Sequence, residues 1–124
     1  MKIPFLIIII VPTVLMLTGC EDIIEVDNIS EERVNLLAPA NDVASNNTTI
    51  FFSWEAIEEA ESYQLQVAKP SFNEALEIVT DTISNSNNYT DTFSEGNFEW
   101  RVKALNSGYE TSYSTHRFSI VESE

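Results

Sequence analysis

One cysteine, Cys20, one histidine, His116, and three glycines are all that 124 residues supply of the types most used for chemistry and tight phosphate loops. Each shortage removes a class of function. Without a second cysteine no intramolecular disulfide can form, and a thiolate zinc site is out of reach. A lone histidine cannot build a His-pair metal centre, and the chain has no GxSxG, HExxH or GxxxxGK segment to host a nucleophile, a metalloprotease or a P-loop. His116 stands two residues before Phe118 in a final strand-like run, which fits a structural position better than a general base. Basic residues are scarce as well: Lys and Arg number 6 against 20 Asp and Glu, for a formal net charge of −14. Nucleic acid and anionic membrane surfaces reward the opposite sign, so neither is expected as a partner.

Carboxylates are what the chain has in excess. The run Glu55-Ala56-Ile57-Glu58-Glu59-Ala60-Glu61 gathers four of them. It lacks the glycine-turned spacing of a calcium loop and reads as a solvated acidic loop. Paired catalytic carboxylates need a sugar-sized cleft, which a small sandwich hardly provides. No catalytic residue, cofactor or metal is expected.

The single long apolar run is at the start. Residues 3–17, IPFLIIIIVPTVLML, follow Lys2 and precede the small residues Thr18 and Gly19. Charged start, apolar middle and small residues at a cut site are the order of a secretory signal. A membrane span is less apt, because the run falls short of about 20 residues and contains Pro4 and Pro12. Leu17-Thr18-Gly19-Cys20 resembles the lipobox of bacterial lipoproteins. The resemblance implies cleavage before Cys20 and acylation of its sulfur and new amino terminus. Anchoring to a membrane through that lipid would be stable without a span.

Acid follows at once. EDIIEVDNISEE, residues 21–32, carries six carboxylates and no base, and its composition predicts a self-repelling, flexible tether over 20–33. Acid directly after the lipid cysteine, here Glu21 and Asp22, resembles the surface-export signal of Bacteroidetes-type lipoproteins. It implies an outer-membrane protein displayed on the cell surface, with a periplasm-facing protein as the alternative.

From Val34 the pattern becomes short period-two runs broken by turn residues. Seven strands are predicted, over 34–37, 49–55, 63–68, 76–82, 88–93, 97–105 and 115–121, with nothing of helical length between them. Alternation predicts a core of Ile50, Phe52, Trp54, Tyr63, Leu65, Val67, Phe98, Trp100, Val102, Ala104, Phe118 and Ile120. Gln64, Gln66, Glu99, Arg101, Lys103 and Arg117 fall on the opposite, solvated faces. The expected fold class is all-β, a seven-stranded immunoglobulin-like β-sandwich over residues 34–122.

Four segments, Leu37-Ala38-Pro39-Ala40-Asn41, Phe52-Ser53-Trp54, Ala60 to Val67, and Gly96 to Ala104, together resemble a fibronectin type III domain. One position departs from that pattern: Phe98 stands where the family usually has tyrosine, and a phenyl ring cannot donate the corner hydrogen bond. The implied topology places the loops at 55–62 and 106–114 at the end where the chain enters, and the loops at 38–48, 69–75 and 94–97 at the far end. Tyr109 and Tyr113 are then expected at the entry end, and Phe72, with the Asn-rich 41–47 loop, at the outward end. These three aromatics are the candidate binding surface, for an envelope or extracellular protein or a glycan. Asp81-Thr82-Ile83 resembles the Bacteroidetes O-glycosylation site, with Thr82 as acceptor.

The functional expectation is a non-catalytic, lipid-anchored envelope protein presenting one sandwich for protein interaction or adhesion. A carbohydrate-binding accessory of a surface glycan-uptake system, or a structural spacer in an envelope complex, are the alternatives.

Overall fold

The computed structural model describes residues 25–122. The expected signal at 1–19, Cys20 as the expected lipid acceptor, and Glu21 and Asp22 as the expected export signal lie outside the described residues. Eight strands run through the described part: β1 Leu36–Ala38, β2 Val43–Ser45, β3 Thr49–Trp54, β4 Ser62–Lys69, β5 Glu77–Ser84, β6 Asn88–Thr92, β7 Gly96–Leu105 and β8 Ser114–Ile120. They form two sheets, one of order β1-β3-β6 and one of order β2-β8-β7-β4-β5. This is the all-β sandwich that alternation implied, in the arrangement that the resemblance to a fibronectin type III domain implied. No helix long and apolar enough to cross a membrane occurs among the described residues.

The eighth strand corrects the expected seven. Val43–Ser45 lies among asparagines and turn residues, is three residues long and has two exposed positions, so no periodicity marks it. It forms because the outer edge of β8 offers unpaired backbone groups, which it meets in parallel register, Val43 with Phe118 and Ser45 with Ile120. The fourth predicted strand is also shifted. β5 starts at Glu77, a bulge at Val67/Ala68 resets its register, and Leu76 is left outside the ladder and 86% exposed.

Every predicted core residue is buried. Each such aliphatic or aromatic side chain contributes about 1.5–3 kcal/mol relative to exposure. Trp54 packs edge-on against Tyr63 at 5.5 Å, and Phe52 lies 5.0 Å from Trp100. Phe98, the departure from the family pattern, stacks on Phe118 with ring centres 5.1 Å apart and planes 12° from parallel. A hydroxyl is absent there, but the ring completes an aromatic cluster with Phe93 and Phe118. Tyr63 supplies a hydroxyl acceptor at the entry end, where it takes the Ile57 N–H at 2.9 Å.

The far end is closed by Lys69. Its ammonium donates to Ser94 Oγ and the Glu95 carbonyl and lies 5.5 Å from the Phe98 ring centre. Gly96 makes room for it: at φ +150°, an added Cβ would sit 2.8 Å from Lys69 Cε.

Residues 25–33, the described part of the segment expected as a flexible tether over 20–33, pack against the domain instead. Ile29 is 2% exposed and belongs to the core cluster. The Glu32 N–H closes a turn onto the Ile29 carbonyl at 2.9 Å, and the Asn106 side-chain amide donates to the Asp27 carbonyl at 2.8 Å. Packing therefore begins upstream of the strands. Acidic composition predicts solvation on average, but one isoleucine at the right spacing is enough to dock the segment.

Candidate functional site

The outward face of the five-stranded sheet carries the most distinctive group of side chains. Backbone register puts Gln66 opposite Arg101, Ala68 opposite Glu99, and Glu99 in turn opposite Arg117. Alternation sends all of these to the same outer face. Ala68 is nevertheless fully buried without belonging to the core cluster, the mark of a loop laid over the sheet.

That loop is residues 70–76. It is closed by the Leu76 N–H on the Lys69 carbonyl at 2.9 Å and by the Glu74 N–H on Ser71 Oγ at 3.2 Å. The Phe72 N–H donates to Glu99 Oε1 at 3.0 Å, which pulls the loop down onto the sheet. The Phe72 ring then lies 3.9 Å from the Arg101 guanidinium carbon. On the other side, Tyr113 enters from the loop before β8 and its ring lies 4.1 Å from the same carbon. Arg101 is thus held between two aromatic faces, a geometry in which the ring quadrupoles attract the cation.

Its hydrogen bonds fix the remaining freedom. Nε and Nη2 both donate to Gln66 Oε1, at 2.8 and 2.6 Å. Nη1 has no protein partner among the described residues and is not a buried atom. Among the described residues no carboxylate lies within ion-pair distance of Arg101 either. The two ion pairs among the described residues are Lys103 with Glu110 at 3.2 Å and Arg117 with Asp42 at 3.4 Å. Lys103 also sits 4.9 Å from the Tyr113 ring centre, extending the stack by one cation.

At the far end of the same face is a groove of about 390 Å³, bounded by Asp42, Pro70, Asn97, Arg117 and Ser119. Its β2 wall is fixed in place: the Asp42 N–H donates to the Arg117 carbonyl at 2.7 Å, and the Arg117 N–H donates to Asn41 Oδ1 at 2.9 Å. Asp42 takes a left-handed φ of 63°, which aspartate tolerates well.

This arrangement corrects the expected division by loop ends. Phe72 and Tyr113 leave loops at opposite ends but turn back over the sheet and meet around Arg101. Phe72 does not join the 41–47 loop; Pro70 takes that place beside Asp42. Tyr109 stays apart and 40% exposed, its N–H bonded to Asn106 Oδ1 at 2.8 Å. Thr82 pairs with Leu65 on the inward side of the edge strand β5 and is half-buried. His116 faces Trp100 at 6.1 Å, edge to face, and its Nδ1 is buried without a partner. Among the described residues no three His, Cys, Asp or Glu side chains come together as metal ligands. Arg101, read in the sequence only as a solvated outer-face residue, is the group that organises the site. The available signal was the gathering of Arg101, Lys103 and Arg117 on one outer face of a chain otherwise poor in basic residues.

Comparison with solved structures agrees with the topology. The chain is similar to the fibronectin(III)-like modules of Clostridium thermocellum CbhA, with 18% identity over 73% of this chain and 99% of that one and a TM-score of 0.53. It is similar also to the fibronectin type III domain of the human KIAA0970 protein, with 12% identity, 74% and 75% coverage and a TM-score of 0.53. No protein-family model and no curated protein matches the chain. At such identities the likeness speaks for the fold, and function has to be argued from the site.

Proposed function

We propose that this fibronectin type III-like chain is a non-catalytic, lipid-anchored cell-envelope protein that presents its sandwich as a binding module for protein interaction or adhesion. The observation that carries the binding role is the Phe72–Arg101–Tyr113 stack on the outer face of the five-stranded sheet. Aromatic and arginine side chains are the ones that most often anchor interfaces, and here they are already held in one geometry before any partner arrives. Attachment rests on the Leu17-Thr18-Gly19-Cys20 segment, and surface display on Glu21 and Asp22 behind it.

A second reading, a carbohydrate-binding accessory of a surface glycan-uptake system, is favoured by the groove beside Arg117, whose Asp42, Asn97 and Ser119 suit sugar hydroxyls. The test is adhesion of intact cells, and pull-down from envelope and extracellular fractions, with wild type against the double variant Phe72→Ala/Tyr113→Ala. Loss of at least one interaction with the domain still folded is expected. Identical behaviour of the two proteins in every assay would remove the binding role from this face.

A further inference from the structure

Arg101 is the anomaly of the molecule. In a chain with 20 acidic residues, this half-buried guanidinium is held on two faces by aromatic rings and has no carboxylate within ion-pair distance among the described residues. Gln66, a neutral acceptor, takes Nε and one hydrogen of Nη2. The Nη1 end of the fork, with the second Nη2 hydrogen, is left for an anion from outside. Glu99, the nearest acid by register, accepts the Phe72 N–H on Oε1 and makes no ion pair with Arg101. Arg117 is the diagonal neighbour of Arg101 across β7 and β8, at roughly 7–8 Å in such a sheet, and borders the far-end groove.

We infer that Arg101 is the carboxylate-binding centre of a site for acidic glycans, with the uronate carboxylate on its free fork and an adjoining sugar ring in the groove at Arg117. This rests on the carbohydrate reading above. The neighbouring charges select this ligand over an acidic peptide. Asp42, Glu99 and Glu110 alternate with the cations on this face. An acidic peptide would bring carboxylates against them, whereas a uronate offers one carboxylate per ring and hydroxyl donors for the rest. A peptide would also find no free backbone edge here, since β4, β7 and β8 are each paired on both sides.

The experiment uses the full chain in detergent, run in native gels cast with polygalacturonate, with dextran, or with polyglutamate. Retardation by polygalacturonate alone, weakening as salt is raised, is expected. Arg101→Gln should weaken it about tenfold or more, the usual effect of losing a hydrogen-bonded charge. Arg101→Lys keeps the charge without the fork and should fall between. Thermal melts of both variants separate a lost site from a lost fold. Arg117→Gln, at an exposed position, gives a second weakened variant if Arg101→Gln does not fold. Retardation unchanged in folded Arg101→Gln overturns the assignment, as does equal or stronger retardation by polyglutamate. Absence of polygalacturonate binding overturns it as well. A protein or neutral-glycan interaction lost in Phe72→Ala/Tyr113→Ala would in that case leave the binding-module reading standing.

Discussion

Phe72 and Tyr113 face each other across the guanidinium of Arg101, though 41 positions separate them and their loops leave the sheet at opposite ends. The cation is what joins them. Phe72→Ala should lower stability by about 1–2 kcal/mol through loss of a partly desolvated cation–π contact and the cover over Ala68. Limited proteolysis should then cut first between residues 70 and 76, a shift that urea melts with and without protease would detect.

Ile29→Ala should cost about 2–4 kcal/mol, the usual range for emptying a buried aliphatic site. A free tether would lose nothing. The midpoint of chemical denaturation, compared with that of the exposed-site control Leu76→Ala, separates the two.

Thr111 is buried, and its hydroxyl both accepts the Ala104 N–H at 3.0 Å and donates to the Ser112 carbonyl at 2.9 Å. Thr111→Val keeps the shape and strands a backbone donor, so a loss of about 1–3 kcal/mol is expected. Thr111→Ser should recover most of it in the same melt.

His116→Phe should leave stability unchanged or raise it by up to about 1 kcal/mol, because Nδ1 is buried with no partner and the edge-on packing on Trp100 is kept. A clear loss in thermal unfolding would mean that the imidazole makes a hydrogen bond through water.

Cys20→Ser should abolish incorporation of labelled palmitate and release the protein from membranes, since Cys20 is the only cysteine. Membrane fractionation of the variant with the label retained would end the lipid-anchor proposal.

The core was legible because inward and outward residues alternate along β3, β7 and most of β4 and β8, where the facing sheet buries the apolar inward side chains. β2 was not, because its stability comes from the edge of β8 and not from its own pattern. Ile29 was hidden by averaging: a window rich in acid conceals one residue that docks. The aromatic candidates Phe72 and Tyr113 were visible as residues out of place in polar loops, but their meeting was not. Loop ends can be sorted by topology, whereas the direction in which a side chain folds back depends on the Phe72 amide reaching Glu99, a contact 27 residues apart.

The docked segment before the sandwich has a mechanical consequence. A pull applied from the N-terminal side is resisted first by the Asn106–Asp27 hydrogen bond and the Ile29 side chain, neither of which belongs to a β-ladder. Their release would let the stretch from Asp27 to Val34 extend to at most about 25 Å, at 3.3–3.6 Å per residue. Only afterwards does tension reach β1, so the outer face around Arg101 would be the last part of the sandwich to feel the load.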